Sequence, residues 1–324
     1  MAAGRKATVA MGVAGVVLAA VLLSYSLRGI EWRQVARIVA GAKPGRLGLA
    51  AILGTATLFL RSLRWRILLN AEGAVTVSTA FWATAAGYFG NNFLPARAGE
   101  LVRTLMISSR SRLDTTYVLA TALSERAADA VALLVIIGLV LPTLPARPAW
   151  LAGAATTFVM IGAIGALGIA VLPRLEALGR TVLEHAPLPR SIRPKVNLVM
   201  DRGLRGIRAF HDARRLSVFS ALTVVIWSVD ALGIVIAASA LSFAIPLPVA
   251  FFLLAALGLG SALPSTPGYV GIYQFVAVTV LTPFGFSRTD AIAYILVGQA
   301  LNYVVIGFWG SLGLWRHRSA RRST

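Results

Sequence analysis

Long runs of apolar residues alternate with short polar connections along almost the whole chain. Two apolar segments, 77–94 and 248–263, end abruptly in polar turns that contain proline. Six other runs come close to or exceed the roughly 18 apolar residues that a helix needs to cross a bilayer. These six cover residues 7–27, 47–63, 115–141, 149–172, 216–242 and 289–315. The pattern predicts an all-α, polytopic integral membrane protein.

Both interrupted segments end in the same motif, Leu-Pro-x-x-x-Gly. It reads FLPARAGELV at 93–102 and ALPSTPGYVG at 262–271, an offset of 169 residues. If each segment enters the membrane, breaks and returns to its own side, each half has three full spans and one re-entrant hairpin. Because three spans reverse the direction of the chain, the second half is inverted. We therefore predict six full spans plus two re-entrant helical hairpins, arranged as an inverted repeat with halves at about 1–145 and 146–315.

The basic residues favour one orientation of this single domain, 1–324. With the N-terminus inside, the inner connections and the tail 316–324 hold 23 Arg and Lys, against seven in the outer connections. Positive charge in cytoplasmic loops is the usual signal for orientation, although five cations in the outer connection 28–46 oppose it. That connection has the spacing of an amphipathic interfacial helix. The connection 173–215, with ten Arg and Lys, favours a solvated basic loop over a specific ligand site. We expect a bacterial inner-membrane protein with both termini cytoplasmic.

The composition excludes several classes of function. The chain is 57% hydrophobic and 13% charged. A net charge of +19 would suggest nucleic acid in a soluble protein, but these cations lie in connections where they meet anionic lipid headgroups. The chain has no cysteine and only three histidines, all in basic peripheral segments, which argues against a metal cluster. We find no phosphate-binding loop motif either, and we expect no cofactor.

The two turns are candidate binding elements at membrane depth. Non-helical backbone is tolerated there only where protein buries it or where it lines a polar cavity. We expect the helices after the turns to begin with unpaired amides that, with nearby side chains, bind a phosphate; these side chains belong to Arg97, Ser265, Thr266 and Tyr269. We expect the hinges of the turns to be Pro95, Gly99, Pro264, Pro267 and Gly268. A packed Pro/Gly kink without function is the alternative.

A second group of candidates lies within the spans. Glu125, Arg126 and Asp129 share one side of the predicted helix 115–141, as residues three or four positions apart do. Charges at this depth cost roughly 2.5–3.5 kcal/mol each and are normally paired. We expect these three to pair with one another or with arginines from other segments, namely Arg61, Arg64 and Arg103. A purely structural ion pair between Arg126 and Asp129 remains open.

Asp230 has no local partner, which favours a functional role or a pair between the two halves. The predicted neighbours of Asp230 are Gln299 and Asn302 in the last span.

Four motifs together resemble the flippase-like membrane family of the lysylphosphatidylglycerol synthase transmembrane region, also known as the multiple peptide resistance factor. They read RSLRWRILL, GYFGNNFLPARAGELVR, SERAAD and LPSTPGYVGIYQ. The resemblance implies translocation of a lipid with a large headgroup. The residues that fall on motif positions are Arg64, Asn92, Pro95, Arg97, Gly99, Glu100, Arg103, Glu125, Arg126, Pro264, Pro267, Gly268 and Tyr273.

In bifunctional relatives a soluble aminoacyl transferase domain follows the membrane part. This chain ends in RHRSARRST soon after Trp315, so we expect a transporter without synthase activity. That departure argues against lysylphosphatidylglycerol as the substrate; other members of the family are thought to serve polyprenyl-linked or glycosylated lipids. The expected partners are membrane lipids, with a lipid-modifying transferase and a second copy of the chain as candidates.

Three hypotheses follow. In the first, Arg97, Arg103 and Arg126 hold the phosphate of a lipid headgroup during translocation, and the mid-span acids balance charge or exchange protons. In the second, the protein is a membrane transferase or its partner subunit, with Glu100 or Glu125 as candidate base. In the third, it is an assembly subunit without transport activity.

Overall fold

The computed structural model describes residues 2–94, 98–144, 160–162, 164, 210, 212–261 and 266–322. Most of the predicted span 149–172 and nearly all of the connection 173–215 lie outside the described residues. So do four predicted site or hinge residues, Pro95, Arg97, Pro264 and Ser265.

The described residues are helical, with no strand among them. The ten α-helices, numbered within this part of the chain, are α1 (Ala2–Leu27), α2 (Trp32–Ala40), α3 (Pro44–Leu69), α4 (Val77–Phe93), α5 (Gly99–Ser108), α6 (Thr115–Val140), α7 (Ala213–Ala240), α8 (Leu247–Gly260), α9 (Ile272–Leu281) and α10 (Arg288–Arg322). Three short 3-10 turns accompany them, at Leu141–Thr143, Pro267–Tyr269 and Thr282–Phe284.

Four described helices are long and apolar enough to cross a membrane: Pro44–Leu69, Thr115–Thr143, Ala213–Ala240 and Arg288–Arg318. A fifth crossing results if Gly15–Leu27 and Trp32–Ala40, which meet at an angle of 87°, form one broken span. The described part of the chain is thus a multi-pass helical membrane protein with four or five candidate spans. The amphipathic helix predicted in 28–46 is α2.

Local sequence signals set several helix boundaries. The Oγ1 atom of Thr76 accepts from the amide of Thr79 at the start of α4, and the carboxylate of Asp114 accepts from two amides at the start of α6. Asp212 accepts from the amide of Arg215 at the start of α7. These side chains satisfy amides that have no partner inside the helix, as N-caps do.

The two short apolar helices α4 and α8 each pack against the helix that follows. Between α4 and α5 the approach is close because the contact is made by glycines. A Cβ at Gly90 would lie 2.7 Å from the Cα of Gly99, and a Cβ at Gly87 would lie 3.0 Å from the side chain of Arg103. The sequence therefore allows two helical hairpins, α4–α5 and α8–α9, next to the long helices.

The order of helices recurs along the chain. Helices α3 to α6 begin at residues 44, 77, 99 and 115, and α7 to α10 begin at 213, 247, 272 and 288. The offsets are 169, 170, 173 and 173, close to the offset of the Leu-Pro-x-x-x-Gly motifs. Helices α3 and α7, which correspond in this scheme, also pack against each other.

Candidate functional site

A cavity of about 680 Å³ lies between the first group of helices, α3 to α6, and the second group, α7 to α10. These two groups are the two parts of the chain. Much of its wall is apolar, with Leu53, Leu133, Leu257 and Ile306 among the lining residues. The charged lining residues are Arg61, Glu100, Arg126, Asp129 and Asp230; the amides are Asn91, Asn92, Gln299 and Asn302; and the tyrosines are Tyr88, Tyr269, Tyr273, Tyr294 and Tyr303. The cavity therefore presents charge, amides and aromatic rings on an apolar background.

Behind this wall, Arg64 is fully buried. It lies on α3 and connects this helix with α6. Its two terminal nitrogens donate to Asp129 at 2.7 and 3.0 Å and to Glu125 at 3.0 Å. The Oγ1 atom of Thr223 on α7 accepts at 3.1 Å. With 0% of its side chain exposed, Arg64 cannot reach the cavity in this conformation, and its role here is to fix the two carboxylates.

Arg103 is likewise an interior residue, with 2% of its side chain exposed. It donates to Glu100 at 2.6 Å, to Glu125 at 2.8 Å and to the carbonyl oxygen of Ala122 at 3.3 Å. Its guanidinium lies 4.4 Å from the ring centroid of Trp65. The sequence suggested that Arg103 holds phosphate, but here its donors already have protein acceptors.

Arg126 is the most exposed arginine of the network, at 35% of its side chain. Its Nε donates to Glu100 at 2.9 Å, and its guanidinium lies 5.3 Å from the ring centroid of Tyr88. Its two terminal nitrogens donate to no acceptor within the described residues. The pairing of Arg126 with Asp129 that the spacing suggested is replaced by a pair between helices, because Glu100 on α5 meets Arg126 while Arg64 and Arg61 meet Asp129.

Asp230 has a partner on α3, as the hypothesis of a pair between halves requires. Arg61 donates to it at 2.7 Å and lies 3.8 Å from Asp129. The same guanidinium is 4.7 Å from the ring centroid of Trp227 and 5.9 Å from that of Tyr88. Arg61 thus joins both parts of the chain at the cavity wall.

The described network is balanced in formal charge. Seven ion pairs connect four arginines, at positions 61, 64, 103 and 126, with four carboxylates, at 100, 125, 129 and 230. Buried ions need close partners because their desolvation costs several kcal/mol each. Apart from Asp230, every member comes from helices α3, α5 and α6.

The turn between α8 and α9 is held by hydrogen bonds from uncharged side chains. Gln274 accepts from the amide of Gly271 at 2.7 Å and donates to Gln299 at 2.5 Å; Gln299 in turn donates to the carbonyl oxygen of Gly268 at 3.0 Å. The hydroxyl of Tyr303 donates to the same carbonyl at 2.8 Å. Gly268 has φ +70°, and an added Cβ would overlap the hydroxyl of Tyr303, which explains why the turn requires glycine there.

Two of the predicted phosphate-binding amides, one at each turn, already have an acceptor. The first amide of α5, at Gly99, donates to the side chain of Asn91 at 3.1 Å, and that of Gly271 donates to Gln274. Thr266 lies outside the cavity lining, and its hydroxyl donates to the carbonyl oxygen of Val270. The prediction of unpaired amides is therefore wrong at Gly99 and Gly271, because the side chains of Asn91 on α4 and Gln274 on α9 cap these amides.

Among the other predicted residues, the cavity lining includes Asn92, Tyr269, Tyr273 and Asn302. Asn92 accepts from Asn302 at 3.4 Å and donates to the carbonyl oxygen of Tyr88. The rings of Tyr269 and Tyr273 stack, 4.9 Å apart. Pro267 begins the 3-10 turn Pro267–Tyr269. Sequence reasoning missed Tyr88, Asn91, Trp227 and Gln274; Asn91 and Gln274 sit directly beside the two turns, which was the available signal.

No group of three or more His, Asp or Glu side chains in the described ranges is arranged to hold a metal ion.

The family model for the lysylphosphatidylglycerol synthase TM region matches residues 12–310. The chain belongs to this family. Among curated proteins, this family member is similar to one named glycosyltransferase AglD from Haloferax volcanii, with 27% identity over 306 residues. The match covers 83% of this chain and 48% of the relative, so the chain spans about half the length of that protein. No solved structure gives a significant match.

Proposed function

We propose that the protein moves a lipid with a phosphate-containing headgroup from one leaflet of the membrane to the other. The observation that carries this proposal is the cavity, which combines a partly exposed guanidinium at Arg126 with a largely apolar wall. Its volume lies within the range of roughly 300–1,000 Å³ typical of ligand sites. An aminoacylated phospholipid or a polyprenyl-linked glycolipid is a candidate substrate.

In this proposal the phosphate binds at Arg126. A guanidinium has five N–H donors, and here only Nε is used by an acceptor within the described residues. Glu100 also accepts from Arg103, so it keeps a cationic partner if Arg126 turns toward a phosphate. Exchange of one ion pair for another thus leaves no carboxylate unpaired.

The proposed architecture is an inverted repeat of six full spans and two re-entrant hairpins. Three features support it. The order of helices recurs, the short helices pair as α4–α5 and α8–α9, and each pair is interrupted by a turn beside the cavity. In transporters built this way, substrate sites lie at the interface of the repeats near the bilayer midplane. The turns around Gly99 and Gly268 would act as hinges that open the cavity to one leaflet at a time.

The location is the bacterial inner membrane, with both termini cytoplasmic. The chain performs no covalent chemistry in this proposal. The carboxylates balance charge, and we propose that those at 100, 129 and 230, which line the cavity, exchange protons with it. A lipid-modifying transferase and a second copy of the chain are the proposed protein partners.

The second candidate function is that of a membrane subunit for a lipid-linked glycosyl or aminoacyl transferase. The name of the relative, glycosyltransferase AglD, and its greater length favour this alternative. There the cavity would present a lipid-linked donor or acceptor to a separate catalytic domain.

The test is a translocation assay in proteoliposomes that carry fluorescent phosphatidylglycerol or a fluorescent polyprenyl phosphate. External dithionite bleaches only the outer leaflet, so transport is measured as loss of the protected pool. We expect loss of this pool with the wild type and at least a tenfold slower rate for Arg126→Gln, since about 1.4 kcal/mol of lost binding is tenfold. Arg112→Gln, an exposed arginine outside the cavity lining, is the matched control.

Equal rates for wild type and Arg126→Gln would contradict the assignment of Arg126. The second candidate would be favoured by two results together. No preparation would deplete the protected pool, and mass spectrometry would find covalent lipid products once a transferase is added.

A further inference from the structure

Three carboxylates line the cavity, and they differ in how firmly they are paired. Glu100 and Asp129 each contact two arginines. Asp230 contacts Arg61 alone among the described residues, at 2.7 Å, and 20% of its side chain is exposed. A carboxylate that binds a proton gives up its ion pairs, and Asp230 has only this one to lose. Asp230 is therefore the cavity acid that can be protonated with the least disruption of the network.

The network holds no spare positive charge for an anionic substrate. Its four arginines are matched by four carboxylates. A phosphodiester that binds at Arg126 adds one negative charge between largely apolar walls, where an unbalanced charge is poorly screened and costly to desolvate. Uptake of one proton by a carboxylate of the cavity restores neutrality. Phosphate and proton therefore bind more favourably together than either binds alone.

Protonation of Asp230 also releases a second arginine for the phosphate. The guanidinium groups of Arg61 and Arg126 lie 5.9 and 5.3 Å from the ring centroid of Tyr88, which makes the two cations neighbours in the cavity wall. A phosphate at Arg126 then also attracts the released Arg61, through charge-assisted hydrogen bonds that are among the strongest in proteins. Asp129, 3.8 Å from Arg61, keeps that side chain in place meanwhile. One proton thus removes a competing anion and supplies a second cation.

The other ionisable groups around α7 are less suited to bind this proton. Helix α7 packs against α3, α8 and α10. The charged groups that α3 presents are the guanidiniums of Arg61 and Arg64, and α8 contains no ionisable residue. The ionisable groups that α10 adds to the cavity wall are phenols, which are neutral near pH 7; they belong to Tyr294 and Tyr303. Asp129, the acid behind Arg61, has Arg64 as a further partner.

We propose that Asp230 is a proton-binding site and that the protein moves one proton together with each lipid. A proton from water binds the carboxylate of Asp230 as the phosphate binds between Arg61 and Arg126. On the other side of the membrane the lipid leaves, the proton returns to water, and Asp230 pairs with Arg61 again. This inference rests on the proposed function and adds its driving force, which is the pH difference across the membrane.

The test measures where the lipid accumulates, with the proteoliposomes and the two fluorescent lipids of the translocation assay. The interior is held at about pH 8 and the exterior at about pH 7, and equal potassium on both sides with valinomycin abolishes the membrane potential. We expect an inner-to-outer ratio of about ten for a transported lipid, and about one without the gradient, because linkage to one proton is worth about tenfold per pH unit. This final ratio does not depend on the orientation of the protein in the vesicle. Vesicles without protein give the background.

Two pairs of side chains of equal size test the role of Asp230. Wild type and Asp230→Asn differ in the ionisable group alone, and so do Asp230→Glu and Asp230→Gln. The two acids should accumulate the lipid. The two amides should still move it, since both arginines remain, but should leave the ratio within about twofold of one because no proton is linked. Glu31→Gln, at an exposed carboxylate outside the cavity lining, is the matched control and should behave as the wild type does.

Equal levels in both leaflets, reached by the wild type under the gradient, would refute the proton coupling and leave the transport function standing. Accumulation that persists in Asp230→Asn and Asp230→Gln would refute the assignment to Asp230. Equal loss of accumulation in Asp230→Glu and Asp230→Gln would do the same, because the side chain would then act through its shape. If no preparation moves either lipid, the transport function and this inference fail together.

Discussion

Arg61 donates a hydrogen bond of 2.7 Å to Asp230, although the two residues are 169 positions apart in the sequence. The two Leu-Pro-x-x-x-Gly motifs are separated by the same number of positions. Within the proposed repeat they are equivalent residues. Equivalent positions of two halves related by a two-fold axis touch only where the chain passes close to that axis. If the proposed repeat is correct, the pair marks the place where α3 and α7, which pack against each other, approach that axis.

Loss of Arg61 should cost more stability than loss of Asp230. Arg61→Met leaves Asp230 without its guanidinium, whereas Asp230→Asn leaves Arg61 beside Asp129 at 3.8 Å. We expect Arg61→Met to lower the free energy of unfolding by about 3–5 kcal/mol, as breaking a buried pair does. The double variant should cost about as much as Arg61→Met alone. Thermal unfolding in detergent measures all three; strictly additive effects would show that the pair is not coupled.

Arg103 and Arg126 should respond differently to lysine. A lysine at 103 cannot reproduce donation to two carboxylates and a carbonyl or the contact with Trp65, and a planar guanidinium is not interchangeable with an ammonium. We expect Arg103→Lys to destabilise the fold by about 2–4 kcal/mol, in the range for charged hydrogen bonds lost from a buried site.

Arg126→Lys should keep the folded protein within about 1 kcal/mol, because it loses one hydrogen bond at a partly exposed position, and should slow translocation. The measurements are unfolding in detergent and the dithionite assay. If the two variants were equally unstable, the division into interior and cavity arginines would be refuted.

Gly268 should tolerate no side chain. Gly268→Ala places a Cβ at φ +70° and against the hydroxyl of Tyr303. Gly285 also has a left-handed φ, +89°, but nothing lies within 4 Å of its added Cβ. Gly285→Ala should therefore show only the backbone cost, about 1–2 kcal/mol, and Gly268→Ala should exceed it. Melting temperatures of both variants test this; equal losses would mean that Tyr303 moves aside freely.

The amide chain beside this turn makes a fourth prediction. Gln299→Leu removes the acceptor of Gln274 and the donor to the carbonyl oxygen of Gly268. The carbonyl of Gly268 keeps its bond from Tyr303, but the side-chain amide of Gln274 loses its acceptor. A buried group left unpaired costs roughly 1–3 kcal/mol, so we expect a marked fall in the unfolding temperature. Gln34→Leu on α2, outside the cavity lining, is the control and should change it little. A stable Gln299→Leu protein would show that the turn does not depend on these bonds.

The long helices were predictable because the length of an apolar run is a local property. The predicted spans 47–63, 115–141, 216–242 and 289–315 each lie within or closely match a described helix. Helix ends were less predictable, since the last helix continues through a basic stretch to Arg322. The predicted span 149–172 lies mostly outside the described residues.

The sequence predicted which charged residues belong to the site better than it predicted which of them form ion pairs with each other. The sequence identified Arg126 and Asp129 as neighbours on one helix, but each forms its ion pair with another helix, because the packing of α3 and α5 brings the arginines and Glu100 to them. Only tertiary structure separates the interior arginines, Arg64 and Arg103, from the two that line the cavity, Arg61 and Arg126.

The balance of four arginines against four carboxylates also bears on how the protein is made. During synthesis α3 enters the membrane with Arg61 and Arg64, while Glu125 and Asp129 follow 61 and 65 residues after Arg64, and Asp230 follows 169 residues after Arg61. An unpaired arginine in a bilayer costs roughly 2.5–3.5 kcal/mol on insertion scales. We therefore expect the insertion machinery to shelter α3 until later helices arrive, and the network of ion pairs is complete only when α7 has left the ribosome.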